Sequence, residues 1–377
     1  MRRPIALSAT LLLAGLVAGC GSEGGKGKTL KVGVILPMTM DQATYGVESW
    51  NGILLAEEDL KKDAKLPSFT LIRRDEKSDK TQAGLAAKDL IETEQVHVLL
   101  GTVASSNTAQ IFREAREGEV PAISPASTND KLTAEGGPFT SRICFKDSFQ
   151  GTVLAEFALG QGWKRAAVVV DKAQVYSTGL AENFKTAFEA KGGKVGFEYY
   201  TTQDTDFSNV IQNVANQGPD VIFISGYYAQ AGPMIKQAKG KWDGKPVIGG
   251  DGLDSPDLIK LAGDTKTEIY LTSHFAADGP DPEVRAFAER YAKRFGEPPG
   301  AMAALGYDLL FVLMDAVKRC ADPTDRAQLA KAIAATKDLK GITGTMDLTT
   351  PDRTPVKDVV IVKVEGGFKY HSTVKAK

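Results

Sequence analysis

Between residues 98 and 110 the sequence VLLGTVASSNTAQ passes from an apolar run into Ser105, Ser106, Asn107 and Thr108, and then into a charged stretch. Such a break supports two chemistries. A side-chain oxygen ahead of a helix accepts one of the unpaired amide hydrogens of the first turn, and this capping needs no ligand. The same amides, with the positive end of the helix dipole, make a seat for an anion. This window alone leaves both open. A second group is Asp251 in VIGGDGLDSPD, an acid at the end of an apolar run. Open α/β sheets hold ligands at the C-terminal ends of their strands, so this acid stands where a ligand would sit. The alternative is turn chemistry among the glycines, a turn carboxylate having no obligatory internal partner, with Asp254 capping the next helix. The acids of DEKSDK, residues 75 to 80, read as a solvated loop.

Covalent and metal chemistry is poorly supplied. The chain has no G-x-S-x-G elbow, no G-x-x-x-x-G-K-[ST] phosphate loop and no G-x-G-x-x-G dinucleotide turn. His97, His274 and His371 are the only histidines, none in metal-ligand spacing, and each reads as structural or solvent-facing. No catalytic residue, metal or cofactor is expected. With 46 Lys and Arg against 47 Asp and Glu and no long basic block, the chain lacks the electrostatic footprint of a nucleic-acid binder.

The first residues carry an address. Met1-Arg2-Arg3 is basic and residues 4 to 18 are almost wholly apolar, too short for a comfortable span and suited to an export signal. Val17-Ala18-Gly19-Cys20 resembles the bacterial lipobox, in which the Cys is acylated and the preceding peptide removed. The expected organisation is therefore a signal over 1–19, a lipid anchor on Cys20 and a flexible tether to Lys28. Cys144 and Cys320 are the remaining cysteines; whether they pair stays open.

At 377 residues, 42% hydrophobic and 25% charged, the chain has room for two ordinary globular domains. From Thr29 onward, β-rich runs alternate with helical periods: LKVGVILP, FTLIRRD, HVLLGTV, AAVVVD, VGFEYY, DVIFISGY, PVIGG and EIYLTSHF. Ala83, Ala86, Ala87, Leu90 and Ile91 form the buried stripe of one intervening helix. This pattern predicts an α/β protein with parallel sheets covered by helices. After EIYLTSHF come two long helical segments with no strand between them, DPEVRAFAERYAKRFG and AMAALGYDLLFVLMDAVKRC, followed by the strand-like VKDVVIVKV. Those helices are expected to return to the first sheet. Three crossings follow, near Arg142–Phe149, Tyr270–His274 and Gly341–Met346, dividing the chain into lobes of 29–144 plus 273–340 and 145–272 plus 341–377.

As an ordered set, LKVGVILPM with QATYG, GTVASSNT, PAISPAST, FKDSFQG, DKAQVYSTGLA, FISGYY, IGGDGLDSP, ALGYDLL and GITGTMDL resembles the type I periplasmic binding proteins of ABC importers, the leucine/isoleucine/valine-binding family. The similarity runs from about Leu30 to Tyr370. It implies two Rossmann-like lobes, joined by three strands, that close on an amino acid and deliver it to an ABC permease; a monomer is expected. By position, Ser105 and the backbone near Ala126 and Thr128 would meet the ligand carboxylate. Tyr176 and Tyr227 fall at second-lobe contact positions, and Asp251 at that of the acid facing the ligand ammonium. Tyr45, with Tyr307 and Trp50 as further candidates, would offer apolar surface to the ligand side chain, core packing being the alternative. The chain departs from the family in having Asp251 for a Glu, and Asp79 and Ala104 at the positions of a first-lobe disulfide. The branched-chain expectation is thus looser than the α-amino-acid one. Other functions considered are a ligand-sensing receptor for signalling, a binder of an amide or other small polar ligand, and an exported hydrolase.

Overall fold

A computed structural model describes residues 29–376. The expected signal, Cys20 and the tether lie outside the described residues.

Strands Leu30–Leu36, Phe69–Asp75, Val98–Gly101, Ala122–Ser124 and Thr140–Arg142 form the first sheet. They are parallel throughout, Leu30–Leu36 pairing with both Phe69–Asp75 and Val98–Gly101. Parallel strands covered on both faces read as continuous apolar runs. Accordingly Leu30–Leu36 is buried except at Lys31, whereas the edge strand Phe69–Asp75 has no fully buried residue. Ala122–Ser124 and Thr140–Arg142 were not foreseen, because three residues are too few for a period to show.

The second sheet has a parallel part, Arg165–Asp171, Lys194–Tyr200, Val221–Ser225, Val247–Gly249 and Ile269–Ser273. Val359–Val364 and Phe368–Val374 extend it as antiparallel strands at one edge. The final strand escaped the sequence reading; its turn is marked by Gly366, whose φ of +65° favours glycine.

The long C-terminal helices do return to the first lobe. Ala301–Arg319 packs on Ala43–Leu60 so closely that a Cβ on Gly52 would lie 1.9 Å from the Ala303 carbonyl oxygen, and one on Gly306 would lie 2.1 Å from that of Ser49. Two glycines at one crossing let the backbones touch. Ion pairs Arg290–Asp59 and Arg294–Glu58 flank the contact from helix Pro282–Phe295, but exposed pairs add little and the packed apolar faces carry it.

The chain passes between the lobes three times, and the connections are bonded to one another. Lys357 Nζ donates to the Ile143 carbonyl at 3.0 Å and to Thr343 Oγ1. Arg142 Nε donates to Thr354 Oγ1 at 2.8 Å. The segment expected to be the third crossing, Gly341–Met346, belongs to a hairpin of Leu339–Gly341 with Gly344–Met346, and the chain reaches the second sheet only at Val359. Cys144 and Cys320 are both free thiols.

Candidate ligand-binding site

Ten residues line a small cavity between the lobes: Tyr45, Val103, Ser105, Ala126, Thr128 and Met302 from the first, and Tyr176, Tyr227, Asp251 and Gly252 from the second. Most follow the C-terminal end of a parallel strand directly. Ser105 opens helix Ser105–Glu117 just after Val98–Gly101, Ala126 and Thr128 follow Ala122–Ser124, Tyr227 follows Val221–Ser225, and Asp251 follows Val247–Gly249. The turn into Ser105 requires Gly101, whose φ is +123° and whose Cβ would meet the Ile35 carbonyl oxygen at 1.9 Å.

All seven residues singled out by sequence therefore line one cavity, joined by Val103, Met302 and Gly252, which were not singled out. Tyr307 and Trp50 are elsewhere. The Tyr307 hydroxyl donates to Asp59 Oδ2 at 3.0 Å and its ring packs on Phe311, while Trp50 lies under the Arg73 guanidinium, 4.7 Å from its centroid. Packing, the alternative given for both, is their role.

The polar break 105–108 caps nothing by side chain; the N-cap is Ala104. Each residue has a separate task. Ser105 Oγ accepts from the Asn129 amide at 3.3 Å at the cavity wall. Ser106 Oγ reaches the other lobe, donating to Gln174 Oε1 at 2.9 Å and accepting from the Val175 amide at 3.2 Å. Asn107 Nδ2 donates to Glu76 Oε2, and Thr108 Oγ1 donates to the Thr102 carbonyl at 3.1 Å. Glu76 corrects the solvated-loop reading of DEKSDK. It is fully buried, takes a second bond from Thr102 Oγ1 at 2.9 Å, and burial pushes its carboxyl up to about 7.

Asp251 is not a free turn acid. Its Oδ1 accepts from Tyr176 Oη at 2.9 Å and Gln150 Nε2 at 3.0 Å, and its Oδ2 faces His274 Nε2 at 3.1 Å. Gln150 Oε1 in turn accepts the Asp251 amide at 2.7 Å and the Thr272 hydroxyl at 2.6 Å. Burial, reinforced by the Asp251 charge, keeps the Tyr176 and Tyr227 phenols well above their usual range, so both remain O–H donors. Asp254 does not cap the next helix. Ser255 does, its Oγ accepting from the Asp257 amide, while Asp254 is buried beside Ser273 Oγ and pushed up to about 7 by burial. Gln150 and His274 were missed as functional residues. His274 follows a strand just as Asp251 does, and the same strand-end rule would have marked it.

On the opposite wall, Thr128 Oγ1 is buried, with the Asp147 carboxyl as a polar neighbour. The cavity thus has a carboxylate on the second lobe, hydroxyls and a helix start on the first, and tyrosine faces between. The lobes meet around it: Tyr45 Oη donates to the Gly252 carbonyl at 2.6 Å, Asn129 Nδ2 to the Val175 carbonyl at 2.9 Å, and Thr44 Oγ1 to Asp257 Oδ2.

This architecture has relatives. The family model described as periplasmic binding protein matches residues 29–369. The chain belongs to the periplasmic binding protein family. The Leu/Ile/Val-binding protein homolog 3 of Brucella melitensis is 26% identical to this binding protein, over 85% of this chain and 89% of its own. A leucine binding protein of Thermotoga maritima superposes with a TM-score of 0.87 at 34% identity, over 92% of this chain and 99% of its own. A solute binding protein of an ABC transporter from Rhodopseudomonas palustris, solved with 3,4-dihydroxybenzoic acid, superposes with a TM-score of 0.82 at 26% identity, over 92% and 98%.

Proposed function

We propose that this periplasmic binding protein is the extracytoplasmic receptor of an ABC importer, capturing an aliphatic α-amino acid between its lobes and presenting the closed form to a membrane permease. The observation that carries the ligand class is Asp251, a buried carboxylate on the cavity wall. A zwitterion shut away from water needs both charges met, or desolvation outweighs its contacts. Asp251 suits the ammonium; the Ser105 and Thr128 hydroxyls and the positive end of helix Ser105–Glu117 suit the carboxylate. Val103, Met302 and the ring of Tyr45 offer apolar surface to an aliphatic side chain. The names of the Brucella and Thermotoga relatives support the same class.

Export, acylation of Cys20, monomeric state and delivery to a permease, as opposed to a signalling partner, belong to this reading. They rest on the sequence of residues 1–28 and on the family.

A second reading is an aromatic acid, favoured by the three tyrosines on the wall and by the ligand of the Rhodopseudomonas structure. A benzoate would bring a second negative charge toward Asp251 with no cation between. A thermal-shift screen of the standard amino acids against 4-hydroxybenzoate and 3,4-dihydroxybenzoate separates the two, because only a ligand of the native state raises its melting point. Stabilisation by aliphatic amino acids is expected; stabilisation by the benzoates alone overturns the reading.

A further inference from the structure

His274 lies where the chain leaves the second sheet for the first lobe, directly after strand Ile269–Ser273. Its ring is stacked on Phe145 of the first connection, with centroids 3.9 Å apart and planes 22° from parallel. The side chain is fully buried, and Nε2 is 3.1 Å from Asp251 Oδ2. Nδ1 has no hydrogen-bond partner among the described residues. An imidazolium needs an acceptor at each nitrogen, and only one is supplied. The ring is therefore neutral, with its proton on Nε2 and donated to Asp251.

We propose that His274 is a positioning residue, which as a neutral donor keeps Asp251 aimed at the ligand ammonium and on protonation expels the ligand. The proposal rests on the amino-acid reading above. Protonated His274 would place a second cation on the carboxylate that the ammonium requires, so proton and ligand compete, and affinity falls by up to about tenfold per pH unit once the ring titrates. Burial holds the imidazole below its usual value against the pull of Asp251, which sets the loss on the acid side of neutrality. The charged groups facing the ring are Asp251 and, from the third connection, Lys357. Asp147 lies behind Asp251 through Gln150, and Asp254 behind Ser273. These acids titrate as well, so the wild-type profile alone decides nothing.

The deciding comparison is His274→Gln, whose amide donates without titrating, and His274→Ala, measured by calorimetry with L-leucine, and with L-alanine as a second probe, at pH 7.5 and 5. We expect His274→Ala to lose at least tenfold in affinity at pH 7.5, His274→Gln to recover most of that loss, and the Gln variant to lose about tenfold less than wild type on going to pH 5. Equal acid losses in wild type and Gln, or an Ala variant within twofold of wild type, overturn the proposal. Imidazole ¹⁵N spectra give a readout that needs no ligand, with only three histidines to assign. A neutral Nε2–H ring at pH 6.5 whose shifts move in Asp251→Asn supports the positioning role. An Nδ1–H ring, or an ordinary titration insensitive to residue 251, overturns it. The expected spectra together with no amino-acid binding would overturn the ligand reading and the expulsion step, while leaving the positioning contact standing.

Discussion

Asp251 accepts from Tyr176, Gln150 and His274, and these three donors decide what its substitution does before any ligand arrives. An Asn amide must turn its NH₂ toward one of them. Asp251→Asn should therefore lower ligand-free stability by about 1–3 kcal/mol, the range for leaving a buried donor unsatisfied, as read by urea unfolding. A free turn acid would have given no change. Glu76 is the other acid whose place the sequence hid. With its carboxyl raised to about 7 and an unfolded value near 4.5, the folded state binds the extra proton between those limits. Its contribution to stability thus falls as pH rises from about 4.5 to 7. Glu76→Gln should remove that fall, a difference on the order of 3 kcal/mol at most between pH 5 and pH 7.5 in paired unfolding curves. What was legible at this scale were residues that end a strand or break a period, such as Ser105 and Asp251. Gln150 was not, because its partners Asp251 and Thr272 lie 101 and 122 positions away; Glu76 does follow strand Phe69–Asp75, but its charged neighbours in the sequence disguise a burial supplied by Thr102 and Asn107.

At the scale of elements, the long apolar runs were the most readable, since a strand covered on both faces has no polar side to blur its pattern. Val221–Ser225 and Arg165–Asp171, buried apart from Arg165, are of this kind. The return of helix Ala301–Arg319 followed from the lack of a strand to pair with it, but the closeness of its contact with Ala43–Leu60 did not. Gly52 and Gly306 look like ordinary helix glycines in one dimension. Gly52→Ala should destabilise the protein toward the upper end of the usual overpacking range, about 1–3 kcal/mol, because the clashing partner is the Ala303 backbone and not a movable side chain. A melting temperature unchanged within about 0.5 °C, against a shift of roughly 1–2 °C per kcal/mol for a chain of this size, would show that the helices can separate at no cost.

For the molecule as a whole, the two lobes and their return crossing were legible, whereas the bonds between lobes were not, since each joins residues tens to hundreds of positions apart. Ser106 with Gln174, Tyr45 with Gly252 and Asn183 with Asp130 bridge the two lobes across the cleft. Ser106→Ala should weaken ligand binding about three- to tenfold, the worth of one or two neutral hydrogen bonds, with unfolding of the ligand-free protein nearly unchanged. A loss of stability without a loss of affinity would place Ser106 in the fold instead of the closure. Small-angle scattering should give a smaller radius of gyration with saturating ligand, as a hinged pair of lobes requires. The central claim, that a buried acid reads the ammonium of an α-amino acid, is met most directly by calorimetry on wild type and Asp251→Asn with L-leucine and with 4-methylpentanoate, the same molecule without its ammonium. Removing one side of a buried charge pair costs about 2–5 kcal/mol, so Asp251→Asn should bind L-leucine at least roughly thirtyfold more weakly, while 4-methylpentanoate binds wild type poorly and gains nothing from Asp251. An Asn variant within about threefold of wild type, or 4-methylpentanoate held by wild type as tightly as L-leucine, would contradict it.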